Sequence, residues 1–400
     1  MEEPLLNFNQ QIERTNTASQ KWDNLLEVFQ STEVLPLWVA DMDFAVPPAV
    51  KEALSQRVEH GVFGYSTFTP AYYDAIIQWM QTRHQWAVEK EWIQFVPGVV
   101  PALNFIVQTF TEPGDQIVIQ TPVYPPFYKV VLNHKRKLVR NPLVRDEDGT
   151  YRMDYEDLER KFAEGKIRMM ILCSPHNPVG RVWTKTELTR LAELCEKWKV
   201  MLVSDEIHAD MIFEQGAHTP FTTLSDYAQQ HCIVCTSPSK TFNMAGFQTA
   251  NMIIPNPELK SRILKTLQLY SLQEITPLGL VATQAAYSEG GPWLDALLDH
   301  VRDNMSYVRE FCKHHLPEIQ VNDPEGTYLL WMDFRQLGMP DDELFQFLVQ
   351  EARLGLNAGV SFGKEGQGFM RMNMACTRQT LEEAMHRLQT AVLNWRASRR

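Results

Sequence analysis

Four polar residues, each placed just after a short apolar run, carry the chemistry available to this sequence: Tyr124, Asn177, Asp205 and Lys240. Lys240 lies in Ser237-Pro238-Ser239-Lys240-Thr241-Phe242-Asn243-Met244-Ala245-Gly246, behind the run Cys232-Ile233-Val234-Cys235-Thr236. A lysine held at a strand end among small hydroxyls and apolar neighbours is partly desolvated. Its pKa falls, and its free amine can attack a carbonyl. Asp205 follows Val200-Met201-Leu202-Val203; a buried carboxylate there needs a positive partner or it becomes protonated. Asn177, after the run from Ile167 to Cys173, offers a directional donor. Tyr124, after Ile117-Val118-Ile119, offers a flat face stiffened by Pro122 and Pro125. Taken singly, these are a surface lysine, a satisfied core aspartate, a turn-forming asparagine and a packing tyrosine. Their shared placement behind separate strands sets them apart.

The elements that must position them alternate between strand and helix signals. That alternation predicts an α/β fold, with a mostly parallel sheet and helices on both faces. In such sheets ligands bind at the carboxyl ends of the strands, which gathers all four residues on one edge. Pro47-Pro48 opens a short helix, and a second helix covers roughly 70–83. In Gly98-Val99-Val100-Pro101, Pro101 suits the first helical position, leaving backbone N–H groups before it as a phosphate cradle. Thr184 and Glu187 form a capping box, and Ala250 to Ile254 read as one more strand. Beyond about 290 the pattern changes. Phe369-Met370-Arg371-Met372-Asn373-Met374 alternates like a half-buried strand, and a last helix opens on Thr380 and Glu383 as a capping box. The expected organisation is a large domain over 49–289 and a smaller, discontinuous α/β domain from 1–48 and 290–400.

Composition narrows the classes. With 44% hydrophobic and 22% charged residues the chain is an ordinary globular protein. A net charge of -11 argues against a nucleic-acid or anionic-membrane partner. No apolar run reaches membrane-spanning length, and Met1-Glu2-Glu3-Pro4 lacks the basic start of a leader, so a cytoplasmic location is expected. Cys232 and Cys235 have redox-like spacing, but they flank a strand interior and read as buried and structural. No residue spacing suggests a metal site, so none is expected.

Together the four residues describe a pocket for an aromatic ring with a phenolic oxygen, an aldehyde within reach of Lys240 and a phosphate handle. Pyridoxal 5'-phosphate meets each requirement. The chain resembles the fold-type I pyridoxal-phosphate enzymes of the aminotransferase superfamily, and among them the MalY/PatB-type cystathionine β-lyases, also called C–S lyases. The resemblance spans essentially the whole chain. It rests on residues Leu37 to Phe44, Thr121 to Tyr128 (TPVYPPFY), Ser174 to Trp183 (SPHNPVGRVW), Ser204 to Asp210 (SDEIHAD) and Ser237 to Gly246 (SPSKTFNMAG).

That resemblance implies that Lys240 forms the Schiff base, Asp205 pairs with the pyridine nitrogen, Asn177 bonds the phenolic oxygen and Tyr124 stacks on the ring. His208 would lie near the same oxygen, although a satisfied core histidine is the alternative. Ser237 and the amides of Val99 and Val100 would hold the phosphate, and Tyr65 would reach the phosphate of a neighbouring subunit in a homodimer. Arg371 would clamp the substrate carboxylate beside Ala40. One position departs from the superfamily pattern: Gln248 stands where many members carry a phosphate-binding arginine. The implied activity is α,β-elimination of cystathionine or another amino-acid thioether to a thiol, pyruvate and ammonia, as part of amino-acid metabolism. An aminotransferase on the same residues is the alternative. A cofactor-binding regulator acting through its surface is a third possibility.

Overall fold

The computed structural model describes residues 6–214 and 216–399; residues 1–4, read above for a leader, lie outside them. Seven strands form the main sheet: β1 (Ile93–Val96), β2 (Gln116–Thr121), β3 (Lys137–Pro142), β4 (Ile167–Cys173), β5 (Met201–Asp205), β6 (Cys232–Thr236) and β7 (Ala250–Ile253). Their order is β1-β7-β6-β5-β4-β2-β3. The ladders from β6 through to β3 are all parallel, while β7 runs antiparallel to both its neighbours.

Strand periodicity explains why the sheet is covered on both faces. Val118, Met170, Leu172, Leu202 and Val234 enter one apolar layer, and Ile117, Ile119, Met169, Ile171, Val203 and Ile233 enter the other. Alternate residues point to opposite faces, so a continuous apolar run can be satisfied only by packing on both sides. The same rule separates Cys232 from Cys235: the first joins one layer and the second the other. Both are buried and unbridged, as the reading of structural cysteines expects.

The helices needed for the site are α1 (Pro48–His60), α2 (Pro70–His84), α3 (Val99–Phe110), α4 (Lys185–Trp198), α5 (Pro238–Thr241), α6 (Gly291–His315) and α7 (Arg378–Ser398). Thr184 and Glu187 cap α4 reciprocally, as expected. Two helix starts differ from the sequence reading. Helix α3 begins at Val99 with Gly98 as its cap, so Pro101 is its third residue and not its first. Helix α7 is capped by Thr377, which accepts from Thr380 N, and Glu383 instead bonds Arg387. In both cases residues upstream of the expected start are already helical, so the earlier cap takes over.

A four-stranded antiparallel sheet follows, built from β8 (Gln320–Val321), β9 (Leu329–Asp333), β10 (Asn357–Ala358) and β11 (Phe369–Asn373) in the order β8-β9-β11-β10. Strand β11 is buried on both faces, not one. Met370, Met372 and Met374 enter the core, while the other face is covered by the N-terminal segment: Asn373 Nδ2 donates to Val39 O at 2.7 Å and Asp41 O at 2.6 Å. The region before residue 48 also contains two short helices, Gln20–Asp23 and Leu25–Phe29.

Candidate active site

The parallel strands deliver their following loops to one end of the main sheet. Asp205 is the last residue of β5, in register with Cys173 on β4 and Cys235 on β6. Asn177 and Tyr124 lie just beyond β4 and β2, and Lys240 sits on the one-turn helix α5 behind β6. All four border a cavity of about 490 Å³, together with Ala40, Val99, Val100, His208, Ser237, Gln248 and Arg371. Of the expected site residues, Tyr65 is the one this chain does not bring there. It is 97% exposed on the extended segment between α1 and α2.

Lys240 Nζ donates to Ala40 O at 2.6 Å. Burial, with help from the Arg371 charge, lowers the ammonium pKa to about 8 against the opposing pull of Asp41 and Asp205. A sizeable fraction of free amine is therefore present near neutral pH. Asp205 shows the reverse effect. Burial drives its carboxyl up to about 7, opposed by the Ile207 N–H that donates to Oδ1 at 3.2 Å. A second carboxylate, Glu206, adds to the upward shift, while Lys240 counters it. A cation against Asp205 would return it to the ionised form.

Arg371 is buried on β11 and held by three acceptors. Nη1 donates to Asn177 Oδ1 at 3.1 Å, and Nη2 donates to Trp38 O at 3.0 Å and Asn357 Oδ1 at 2.7 Å. Burial lowers its pKa to about 10, so it stays charged at neutral pH. With Oδ1 taken by Arg371, the Asn177 amide presents Nδ2, a donor, as its remaining group. Tyr124 is half-buried and its phenol pKa is raised, chiefly by burial and then by Asp205, so it remains protonated. His208 is buried and its pKa falls to about 3 through burial and the Lys240 and Arg371 charges. It is a neutral imidazole whose Nδ1 has no partner among the described residues, which does not match a satisfied core histidine.

The far end of the cavity is suited to an anion. Gly98 adopts φ +115, in the region that favours glycine, and turns the chain into α3. The N–H groups of Val99 and Val100 precede the first helical bond, from Ala102 N to Gly98 O, and so are free for an anion. Ser237 borders the same end, but its single hydroxyl hydrogen is divided between Thr249 O at 2.6 Å and Ser239 Oγ at 2.8 Å. Ser239 is the hydroxyl better placed to donate onward. Gln248 also lines this end, with φ +51.

These groups fit pyridoxal phosphate: a lysine of lowered pKa, an under-partnered buried carboxylate, a free amide donor, an aromatic face and unpaired backbone N–H groups. Sequence reading missed Trp38, Asn357, Tyr328 and Ser239. Tyr328 donates to the same Ala40 carbonyl at 2.9 Å. Trp38 and Ser239 lie inside motifs quoted above and could have been found there. Asn357 sits on a two-residue strand with no sequence signal.

Comparison with known proteins places this geometry. Residues 32–388 match the family described as aminotransferase class I and II. The chain is 44% identical to cystathionine beta-lyase PatB of Bacillus subtilis, over 97% of this chain and 100% of that protein. It is 35% identical to protein MalY of Escherichia coli, over 97% and 99% of the two chains. The solved structure of cystalysin from Treponema denticola, which contains pyridoxal 5'-phosphate, superimposes with a TM-score of 0.95 at 37% identity, covering 98% of this chain and 100% of that one.

Proposed function

The chain belongs to the class I and II aminotransferase family, and from that premise we propose that it is a pyridoxal-phosphate-dependent carbon–sulfur β-lyase. Its substrate is L-cystathionine or a related cysteine S-conjugate, cleaved to a thiol, pyruvate and ammonia. The observation that carries this reading is the convergence of Lys240, Asp205, Asn177 and Arg371 on one cavity, in a chain 44% identical to a named cystathionine beta-lyase.

Bound in this cavity, pyridoxal phosphate supplies an aldehyde for imine formation and a ring that accepts the electron pair left at the substrate α-carbon. The protein supplies the rest. Val99 N–H, Val100 N–H and Ser239 hold the phosphate, with Ser237 capping the turn that presents Ser239. Tyr124 would cover the ring face, and Asn177 Nδ2 and His208 would serve its phenolic oxygen. Asp205 keeps a proton on the ring nitrogen; a carboxylate against that cation contributes roughly 4 kcal/mol at an intermediate dielectric. Arg371, beside Ala40, binds the substrate carboxylate.

Lys240 Nζ, freed as an amine, takes the α-proton. With the cofactor bound, its ring would accept the electron pair left at the α-carbon. That pair would then form the Cα–Cβ double bond as the Cβ–S bond breaks and the thiolate leaves. The three-carbon enamine that remains hydrolyses to pyruvate and ammonia.

Residues 49–289 form the cofactor-holding domain in this reading, and 1–48 with 290–400 the smaller one. The seven-stranded sheet lying within 93–253 and the four-stranded sheet within 320–373 support that division. Tyr65 acts in the neighbouring subunit of a homodimer. Its exposure beside the exposed Val62 and Phe63 supports a second copy covering this segment. A cytoplasmic place in amino-acid metabolism completes the reading; among the described residues no helix is long and apolar enough to cross a membrane.

Incubating the purified protein with cystathionine, without any keto acid, tests the function. Pyruvate released over many turnovers is the expected result. A single half-reaction that leaves an aminated cofactor and then stops would overturn it in favour of an aminotransferase.

A further inference from the structure

Beside the cavity lies a layer of buried charge that no step above uses. Asp210 is 8% exposed, and its carboxylate takes three hydrogen bonds from two other elements. Thr241 Oγ1 donates to Oδ2 at 2.7 Å, from α5. From α2, Trp79 Nε1 donates to Oδ1 at 2.9 Å and His84 Nε2 lies 2.7 Å from the same oxygen. Burial alone would raise the Asp210 pKa; His84, Thr241 and Trp79 together hold it below the ordinary carboxylate value. A second pair packs against the first. His218 Nε2 lies 2.9 Å from Glu206 Oε2, and the His84 and His218 rings meet edge to face at 5.4 Å.

The position of Asp210 gives this layer a consequence for the reaction. Asp210 sits five residues after Asp205, in the loop that leaves β5, and Thr241 is the residue that follows Lys240. The Thr241–Asp210 bond therefore ties the lysine-bearing turn to the loop that continues directly from the ring carboxylate at the end of β5. Helix α5 is only four residues long, too short to hold its shape by its own backbone bonds. It depends on tethers at its two ends: the Ser237 cap, whose Oγ accepts from Ser239 N at 3.1 Å, and the Thr241 hydroxyl. A bond from a hydroxyl to an ionised carboxylate is among the stronger tethers available.

We propose that Thr241 and Asp210 are a positioning pair: they hold the Lys240 turn against the loop that follows Asp205, so that Nζ meets the substrate α-carbon in line while Asp205 stays on the cofactor ring. This inference rests on the reading of Lys240 as the cofactor lysine.

Thr241→Val is the sharpest test, because it keeps side-chain shape and leaves Asp210 with the Trp79 and His84 partners. As holoenzyme it is expected to lose about tenfold to a hundredfold in kcat, the scale of a small misplacement of a reacting group, with KM within about twofold. The visible circular dichroism of the bound cofactor, which reports ring orientation, is expected to change, and Thr241→Ser to restore both. Asp210→Asn is read in the same way should Thr241→Val fail to fold. Unchanged kcat and unchanged circular dichroism would overturn the proposal. So would a loss of kcat that merely tracks the folded fraction while the dichroism of the folded protein stays as in wild type. Borohydride labelling of both proteins separates the two levels: label at Lys240 with an unaffected Thr241→Val overturns only the positioning pair, whereas no label in the wild type overturns the cofactor reading and the pair with it.

Discussion

Arg371 Nη1 donates to Asn177 Oδ1 at 3.1 Å, joining a strand of the four-stranded sheet to the loop that follows β4 in the main sheet. The bond fixes which way the asparagine amide faces. It thereby couples the group proposed to bind the substrate carboxylate to the one proposed to bond the cofactor oxygen.

Arg371→Lys keeps the charge but loses the planar fork that reaches Asn177, Trp38 and Asn357 together. We expect kcat/KM to fall about a hundredfold, roughly 2.7 kcal/mol, with most of the loss in KM. Steady-state kinetics on cystathionine measure it; a change within threefold would show that the carboxylate is held elsewhere.

Asp205→Asn should separate activity from stability. Its folded pKa, near 7, lies above the ordinary 3.8, so the folded state favours the protonated acid. The stability this group contributes is present below pH 4 and lost as pH rises from about 4 to 7, amounting to roughly 4 kcal/mol. In cofactor-free protein at pH 8, Asp205→Asn is therefore expected to raise the melting temperature. With cofactor bound it should lower kcat by about a thousandfold, since the ring cation loses its carboxylate. Melting curves at pH 5 and 8 check the first claim; equal shifts at both would refute it.

Much of this site was legible in the sequence because parallel strands leave a simple record: an apolar run, then one polar residue at its carboxyl end. Tyr124, Asn177, Asp205 and Lys240 all follow that rule. Strand β3 was missed because Lys137–Pro142 is an edge strand broken by charges and a proline. Strand β1, four residues long, was missed as well. Full burial of β11 was hidden for another reason. The face carrying Arg371 and Asn373 is covered by residues 38–41, more than three hundred positions away, and no local periodicity records that contact.

The N-terminal segment that delivers Ala40 is anchored by buried charges. Lys21 is fully buried, with Nζ 2.7 Å from Asp43 Oδ2, and Arg14 bonds both Asp41 and Asp43. Asp43 is held below the usual carboxylate range, where Lys21 and Arg14 outweigh its burial. A lowered carboxyl stabilises the fold above its unfolded value, and that stability is lost as pH falls through the folded pKa. Lys21→Met is expected to cost about 3 kcal/mol at pH 7, with the difference from wild type shrinking below pH 4. Denaturant unfolding at the two pH values measures it; an equal cost at both would contradict the pairing.

Gln248 leaves the phosphate end of the cavity without an arginine. Gln248→Arg is expected to slow cofactor loss during dialysis against inorganic phosphate by about tenfold, the scale of one charge-assisted bond. Retained visible absorbance reports it. A wild-type protein that already keeps its cofactor through prolonged dialysis would contradict this expectation.

The most direct measurement is borohydride reduction of the cofactor-loaded protein, followed by peptide mass analysis. One reduced pyridoxyl phosphate adduct should appear on the peptide containing Lys240, and Lys240→Ala should lack it, fold normally and release no pyruvate from cystathionine. A protein reconstituted with the cofactor in which no adduct forms at Lys240, or a Lys240→Ala variant with full turnover, would contradict the assignment.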